Sequence, residues 1–165
     1  MWTLDLIQES EHAAIFSPKE SACEMSEFEK FLSIKSSLTE PQHLQEFDSI
    51  IAVLGKILKD CGARENLFRL EGGRIKAIPL PLYGTKKKEI GSIRLYCIRY
   101  SEKLLIIGNG GIKKVKRYED DPMLKSMVDI LRHIDKIITK ESKKKHVSAS
   151  EFDDFKHILE TITIN

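Results

Sequence analysis

The stretch SIRLYCIRYSEKLLIIGNGGIKKVKRYEDDP, residues 92 to 122, combines two apolar runs, a short polar break, a glycine-rich exit and a group of cations. The runs 92–100 and 104–107 are rich in Ile, Leu and Tyr, as β-strands are. Residues 101 to 103 between them predict a tight hairpin. The stretch therefore predicts two antiparallel strands that lead directly into the basic residues.

Upstream of this hairpin, the runs LFRL and GGRIKAIPLP predict further short strands, and WTLDLIQE near the start predicts another by its alternation. The polar stretch after WTLDLIQE contains Pro18, a residue that interrupts regular structure, and we predict no element there. Ser26 precedes Glu29 at the spacing of a capping box, which predicts a helix over about 26–38. Apolar residues at spacings of three and four predict a second helix from the Thr-Glu-Pro at 39–41 to about Cys61, with a glycine cap at 62.

Downstream, apolar residues line one helical face from Leu124 to Ile138, and Asp121 and Pro122 mark where that helix begins. A polar linker and a short amphipathic helix over about 150–162 follow. Clustered strands joined by hairpins favour an α+β fold: an antiparallel sheet with a helical hairpin before it, one or two helices after it, and the helices against one face. We expect one domain over 1–140 and a C-terminal linker with a short helix, 141–165, packed on or near it.

The formal net charge of +2 conceals a strong asymmetry along the chain. Residues 69–118 hold 13 Lys and Arg against 3 acids, a net charge of +10, whereas residues 1–68 carry −6 and residues 119–165 carry −2. A block of this kind indicates a surface that faces a polyanion or an acidic partner.

Other features narrow the class of protein. The longest apolar runs are far shorter than the roughly 20 residues of a membrane helix, and the N-terminus has acids where a signal peptide has cations, so we expect a cytoplasmic protein without membrane contact. The three cysteines and five histidines show no ligand spacing, and the glycines form neither a P-loop nor a GxGxxG motif. We therefore expect no metal and no cofactor.

Cations on paired strands are suited to phosphate contacts. Arg74 and Lys76 are two residues apart, as are Arg94 and Tyr96, so each pair should share a face of the sheet. If the two strands pair, these four side chains would project together, with the basic run 113–117 and Tyr118 at the exit. The lysines at 86–88 and 143–145 are equally typical of a solvated surface.

The segment from Leu67 to about Ile138 resembles the RelE/ParE superfamily of bacterial toxins, and most closely its HigB-like branch. The residues that carry the resemblance are RIKAIPLP, IRLYCIRY, SEK, LLIIGNGGIKK and VKRYEDDPMLKSMVDIL, together with SEFEKFL and the helix pair upstream. The resemblance implies a toxin of a type II toxin-antitoxin system that cleaves mRNA, commonly on the ribosome, without a metal. It also implies a cognate antitoxin with a helix-turn-helix DNA-binding part.

By position, the resemblance assigns roles to residues of this sequence. The catalytic residues would be Arg94, Lys76, Lys113 and Tyr118. Among the substrate-binding residues, the resemblance assigns Lys114 and Arg117, while the shared strand faces and the basic runs add Arg74, Tyr96, Lys116, Lys86 and Lys87. In this scheme Lys76 or a tyrosine orients or deprotonates the 2′-hydroxyl, and Arg94 and Lys113 stabilise the charge that develops on phosphorus.

Two alternatives use the same residues. The basic sheet could hold RNA, DNA or an acidic protein segment without cleaving anything. It could also serve only to dock an acidic antitoxin tail.

Overall fold

The computed structural model describes residues 1–78 and 91–165, and over these residues the α+β class is confirmed. The described residues form a six-stranded mixed sheet with four α-helices. The strands are β1 (Trp2–Glu9), β2 (Ala14–Glu20), β3 (Arg69–Leu70), β4 (Ile75–Ile78), β5 (Ser92–Ser101) and β6 (Leu104–Lys113). The helices are α1 (Glu27–Ser33), α2 (Pro41–Lys56), α3 (Pro122–Lys144) and α4 (Phe152–Thr161).

The strand order across the sheet is β1-β2-β6-β5-β4-β3. The predicted β5–β6 hairpin is confirmed, and β4 pairs with β5 antiparallel as well. The prediction of a wholly antiparallel sheet is wrong, because β2 runs parallel to β6, with Ala14 opposite Leu104. A parallel pair needs a long crossover, and here the connection contains α1, α2 and three strands.

The stretch in which we predicted no element forms β2. Pro18 lies within this strand, opposite Leu4 of β1. Proline has no N–H to donate to a ladder, and it is tolerated here because the pairing with β6 covers only residues 14–16. The N-terminal half of β2 is buried between its two neighbours, whereas Pro18 lies past the end of the β6 ladder.

The predicted helical hairpin is present over α1 and α2. The capping box is confirmed: the Ser26 side chain accepts from the backbone N–H of Glu29, and the Glu29 carboxylate accepts from that of Ser26. After Lys56 the helix widens into a π-helical segment, Ile57–Cys61, and the chain leaves through Gly62 at a φ of 69°. A side chain at Gly62 would also collide with the carbonyl oxygen of Glu102, 2.7 Å from its Cβ position, so glycine is required there twice over.

The helices cover both faces of the sheet, so the prediction of one covered face is wrong. Helices α1 and α2 pack on one face, around residues such as Phe31, Ile50 and Leu95. Helices α3 and α4 pack on the other, with Leu131 and Phe155 against the sheet. Strands buried on both faces read as nearly continuous apolar runs, which explains the imperfect alternation in the sequence of β5.

Helix α3 begins as predicted, because the Asp121 carboxylate accepts from the backbone N–H groups of Met123 and Leu124. It continues to Lys144, so the first part of the predicted linker is helical. Its C-terminus is followed by His146 at a φ of 55°. The face of the sheet beneath α3 carries the polar residues of β5 and β6, and this is where the site is found.

Candidate functional site

Arg94 of β5 and Lys113 of β6 lie on the same face of the sheet, beneath α3. The register places Arg94 opposite Gly111 and Ser92 opposite Lys113. Residues two apart on one strand share a face, and so do directly paired residues. Both residues are 3% exposed, which is rare for charged residues. Their side chains are therefore enclosed by the protein and do not belong to a solvated surface.

The glycines after β6's apolar run allow the two backbones to come together here. A Cβ at Gly110 would overlap the carbonyl oxygen of Arg94. The ladder is irregular at this point, since Leu95 pairs with Gly110 but Cys97 pairs with Ile107. The GNGG sequence is therefore part of β6, where it forms a bulge beside Arg94.

The Arg94 guanidinium has few partners among the described residues. Its Nη1 donates to the carbonyl of Ile93 at 3.2 Å, and its Nε is buried without a hydrogen-bond partner. Burial lowers the pKa of Arg94, and the nearby charge of Arg69 lowers it further, while Tyr96 and Glu71 act in the opposite direction. A buried guanidinium with an unpartnered N–H group can bind an anion.

Tyr96 lies next to Arg94 on the same face and is fully buried. Its hydroxyl has no hydrogen-bond partner. Burial raises the pKa of Tyr96 above its ordinary value, and the charge of Glu71 adds to this, so the hydroxyl stays protonated at neutral pH. It is therefore a neutral donor in the site.

Tyr118 is held against Tyr96 by helix α3. It opens the 3-10 turn Tyr118–Asp120, and the two tyrosine rings are 6.1 Å apart at 60°. Arg132 of α3 donates to the Tyr118 hydroxyl at 2.5 Å, and its guanidinium lies 5.6 Å from the ring centroid. Burial raises the pKa of Tyr118, and this hydroxyl also stays protonated at neutral pH.

Three residues that lie beside these side chains were missed in the sequence: Arg69, Glu71 and Arg132. Glu71 follows β3, and its side chain is 9% exposed, with its Oε1 3.6 Å from the Nε of Arg69. Burial raises the pKa of Glu71, against the opposing effects of Lys113, Arg69 and Arg94. The sequence contains a signal that could have identified Glu71, since it is one of 3 acids within a block of 13 cations.

The cluster thus joins β3, β5, β6, the 3-10 turn and α3. We call it the Arg94 cluster, and its members are Arg69, Glu71, Arg94, Tyr96, Lys113, Tyr118 and Arg132. Arg132 contributes a second link, because it also donates to the carbonyl of Glu71 at 3.3 Å. Three of the four predicted catalytic residues belong to the cluster.

The fourth, Lys76, lies on the opposite face of the sheet. It pairs with Cys97, whose side chain belongs to the core under α1 and α2, whereas Ala77 pairs with Tyr96. The expectation that Lys76 and Tyr96 project together is therefore wrong. A shift of register by one residue moves a side chain to the other face.

Arg74 is engaged elsewhere. Its Nη1 lies 3.3 Å from both carboxylate oxygens of Asp135 and 3.1 Å from the hydroxyl of Thr139, and its guanidinium lies 5.9 Å from the ring of Tyr100. Tyr100 is six residues along β5 from Arg94, or about 20 Å at the rise of a strand. Arg74 therefore belongs to a separate contact between the sheet and α3.

The remaining predicted residues lie outside the Arg94 cluster. Lys114, Lys116 and Arg117 are exposed, just past the end of β6, and Arg117 forms an ion pair with Glu119. They are positioned as a basic rim. Lys86 and Lys87 lie outside the described residues.

The chain matches no protein-family model, no curated protein and no solved structure. Within residues 1–78 and 91–165, no group of three or more His, Cys, Asp or Glu side chains is arranged to hold a metal ion. In the same ranges, no helix combines the length and the apolar character needed to cross a membrane.

Proposed function

We propose that this chain is a toxin of the RelE/ParE superfamily, HigB-like branch, in a type II toxin-antitoxin system, and that it cleaves mRNA on the ribosome without a metal. The observation that carries the proposal is the gathering of Arg94, Lys113 and Tyr96 on one face of the sheet, with the Arg94 Nε and the Tyr96 hydroxyl buried and unpartnered. These groups can donate to a phosphate and stabilise the negative charge that develops during cleavage.

The order of elements supports the proposal. After β1 and β2, the helices α1 and α2 precede strands β3 to β6, a basic run follows β6, and a long helix follows that run. This is the order that the resemblance implies. A cytoplasmic location and a separate antitoxin with a helix-turn-helix part are components of the same proposal.

A second candidate is a binding module of the same fold that holds RNA or an acidic protein segment without cleavage. Two observations favour it, because the predicted proton acceptor was Lys76 or a tyrosine. Lys76 lies on the opposite face of the sheet from the Arg94 cluster, and both tyrosines of the cluster stay protonated at neutral pH. Both candidates predict binding that weakens as salt rises. Only cleaved RNA distinguishes them.

The test is induced expression in a bacterial host, with growth recorded and transcript 5′ ends mapped by primer extension. The wild type should arrest growth and produce new 5′ ends. Arg94→Ala, and Arg94→Met, which retains a long side chain, should lower cleavage by roughly 100-fold or more, as expected when a group that stabilises transition-state charge is removed.

The matched control is Arg64→Ala, which removes an exposed arginine outside the cluster and should remain fully active. Circular dichroism of the purified variants checks that each is folded. A folded Arg94→Met protein with full toxicity would disprove the site. Soluble wild type that binds RNA but produces no new 5′ ends would establish the binding module instead.

A further inference from the structure

Three side-chain polar atoms in the described part of the chain are buried without a hydrogen-bond partner, and all three lie in the Arg94 cluster. They are the Oε1 of Glu71, the Nε of Arg94 and the hydroxyl of Tyr96. Such atoms are uncommon, since each forgoes the hydrogen bonds that water would give it in the unfolded chain. Because the three atoms belong to one cluster, we interpret the cluster as a ligand-binding site.

The three atoms differ in what they require. The Arg94 Nε–H must donate, the Glu71 carboxylate oxygen must accept, and the Tyr96 hydroxyl can do either. The charges of Glu71 and Arg94 influence each other and Tyr96, so the three groups share one electrostatic environment. The matching ligand carries an anionic oxygen beside a hydroxyl that can donate.

A ribonucleotide has this combination, because its 2′-hydroxyl lies beside the 3′-phosphate. We infer that Glu71 accepts the hydrogen of the 2′-hydroxyl while Arg94 and Tyr96 donate to the adjacent phosphate, which makes Glu71 both the ribose-recognising group and the proton acceptor for cleavage. This inference rests on the proposed function.

The proton transfer completes the reaction that we propose. Glu71 takes the proton of the 2′-hydroxyl, the 2′-oxygen forms a bond to phosphorus, and the bond from phosphorus to the 5′-oxygen breaks. The 5′-oxygen takes a proton from water, and Glu71 returns its proton to the solvent. The products are a 2′,3′-cyclic phosphate and a 5′-hydroxyl end.

Other members of the cluster are less suited to this role. Tyr96 and Tyr118 hold their protons at neutral pH, and Lys76 is on the far face. Glu71 is held next to the cations through its contact with Arg69, while Arg132 fixes its backbone carbonyl. Burial raises the pKa of Glu71 above its ordinary value, which brings this carboxylate closer to the pH at which a general base works.

The first experiment measures binding by the purified wild-type protein in fluorescence anisotropy. The probes are one RNA oligonucleotide, the DNA of the same sequence and the fully 2′-O-methylated RNA. RNA should bind roughly tenfold tighter than DNA or more, since a hydrogen bond to a charged acceptor is lost with DNA. The methylated RNA should bind as weakly as DNA, because its 2′-oxygen has no hydrogen to donate.

The second experiment repeats these measurements with Glu71→Gln, together with cleavage of the RNA probe in a translating extract. The variant should lose at least 100-fold in cleavage, because an amide cannot take the proton, and its preference for RNA over DNA should shrink, because the neutral amide oxygen is a weaker acceptor than a carboxylate. The matched control is Glu102→Gln, the same change of charge in the same basic block, at an exposed residue in the β5–β6 hairpin. It should behave as the wild type.

The pH dependence gives a further readout of the same role. Wild-type cleavage should fall as acid protonates Glu71, and this acid limb should be absent from the residual cleavage by Glu71→Gln. The charged and titratable groups that act on the Glu71 carboxylate are Arg69 of β3, Arg94 and Tyr96 of β5, Lys113 of β6, and Glu119 and Tyr118 of the 3-10 turn. Arg132 of α3 donates to the Glu71 backbone carbonyl. None of these groups is altered in the variant.

The outcomes separate the two proposals. Wild type that cleaves RNA while Glu71→Gln keeps full cleavage would overturn the inference about Glu71 and leave the proposed function standing. Equal binding of RNA, DNA and methylated RNA by the wild type would also overturn it, even if Glu71→Gln were unable to fold. Wild type that neither binds nor cleaves RNA would overturn both.

Discussion

Gly110 lies where the backbone of β6 comes closest to that of β5, directly beside the carbonyl of Arg94. Any side chain there meets backbone atoms, which cannot rotate away as a side chain can. The Arg94 cluster therefore depends on a residue that carries no functional group. The contact also explains why an apolar strand contains the sequence GNGG.

We expect Gly110→Ala to lower the free energy of unfolding by about 3 kcal/mol, because the methyl group must push β5 and β6 apart. Urea unfolding followed by circular dichroism measures the change.

The matched control is Gly55→Ala near the end of α2, just before the helix continues into the π-helical segment Ile57–Cys61, where a Cβ meets no atom within 4 Å. It should raise the free energy of unfolding by about 1 kcal/mol, since alanine favours a helix more than glycine does. Equal effects of the two substitutions would contradict the close approach at Gly110.

Helix α3 is fixed to the sheet through Asp135 at one point and through Arg132 at another. The Asp135 carboxylate accepts from the Tyr100 hydroxyl at 2.9 Å and pairs with Arg74 of the β3–β4 turn. Burial raises the pKa of Tyr100, with a further effect from Asp135, so this hydroxyl donates at all ordinary pH values. The contact sets the position of the helix that carries Arg132.

We expect Asp135→Ala to lower the free energy of unfolding by about 1 to 2 kcal/mol, because the half-buried hydroxyl of Tyr100 loses its acceptor. Thermal and urea unfolding measure this loss.

Asp129→Ala serves as the control on the same helix. Asp129 is exposed and pairs only with Lys125 four residues earlier among its described contacts, so its removal should cost no more than about 0.5 kcal/mol. A similar loss from both substitutions would mean that the Tyr100 contact adds nothing.

Local signals predicted the elements well. The capping box at Ser26, the Asp121-Pro122 start of α3 and the hairpin at residues 101–103 each act within a few residues, and each is confirmed. The parallel pairing of β2 with β6 was not predicted, because no short segment of either strand specifies a partner ninety residues away. Strand β2 was also missed because Pro18 usually interrupts a strand. It is tolerated here only because the β2–β6 ladder ends before it, which the sequence does not reveal.

The site was predicted only in part, because some of its residues are brought together by local structure and others by the pairing of strands. Arg94 and Tyr96 share a face because they share a strand, and this follows from the sequence alone. The face occupied by Lys76 depends on the register between β4 and β5, which places Cys97 opposite Lys76. Glu71 joins the cluster through a turn and a short strand, and so its position requires the folded structure.

The sheet separates two apolar cores, and the Arg94 cluster introduces buried polar groups into the core on the α3 side. Such groups reduce stability unless they are paired. The molecule should therefore be more stable without some of them. This expectation can be tested through pH, because Glu71 changes charge.

We expect the free energy of unfolding of Glu71→Gln to be higher than that of the wild type at pH 7, and the difference to shrink as the pH falls. The pKa of Glu71 is higher in the folded chain than in the unfolded chain, so the folded state binds this proton more tightly. The resulting stabilisation is fully present below the pKa that Glu71 has in the unfolded chain. That advantage is lost as the pH rises through the folded pKa.

Urea unfolding of both proteins between pH 4 and pH 8 measures the difference. The curves should coincide near pH 4 and separate as pH rises from about 4.5, with the variant above. A wild type that becomes the more stable protein at pH 7 would show that Glu71 forms a stabilising ion pair.

The parallel pairing of β2 with β6 has a consequence for synthesis. Ala14 emerges from the ribosome early, and Leu104, its partner, is added only ninety residues later. Until then a nascent chain carries Ile15 and Phe16, both fully buried in the finished sheet, along a strand edge that has no neighbour. Slow translation before residue 104 prolongs that exposure, and the yield of soluble protein should fall with it.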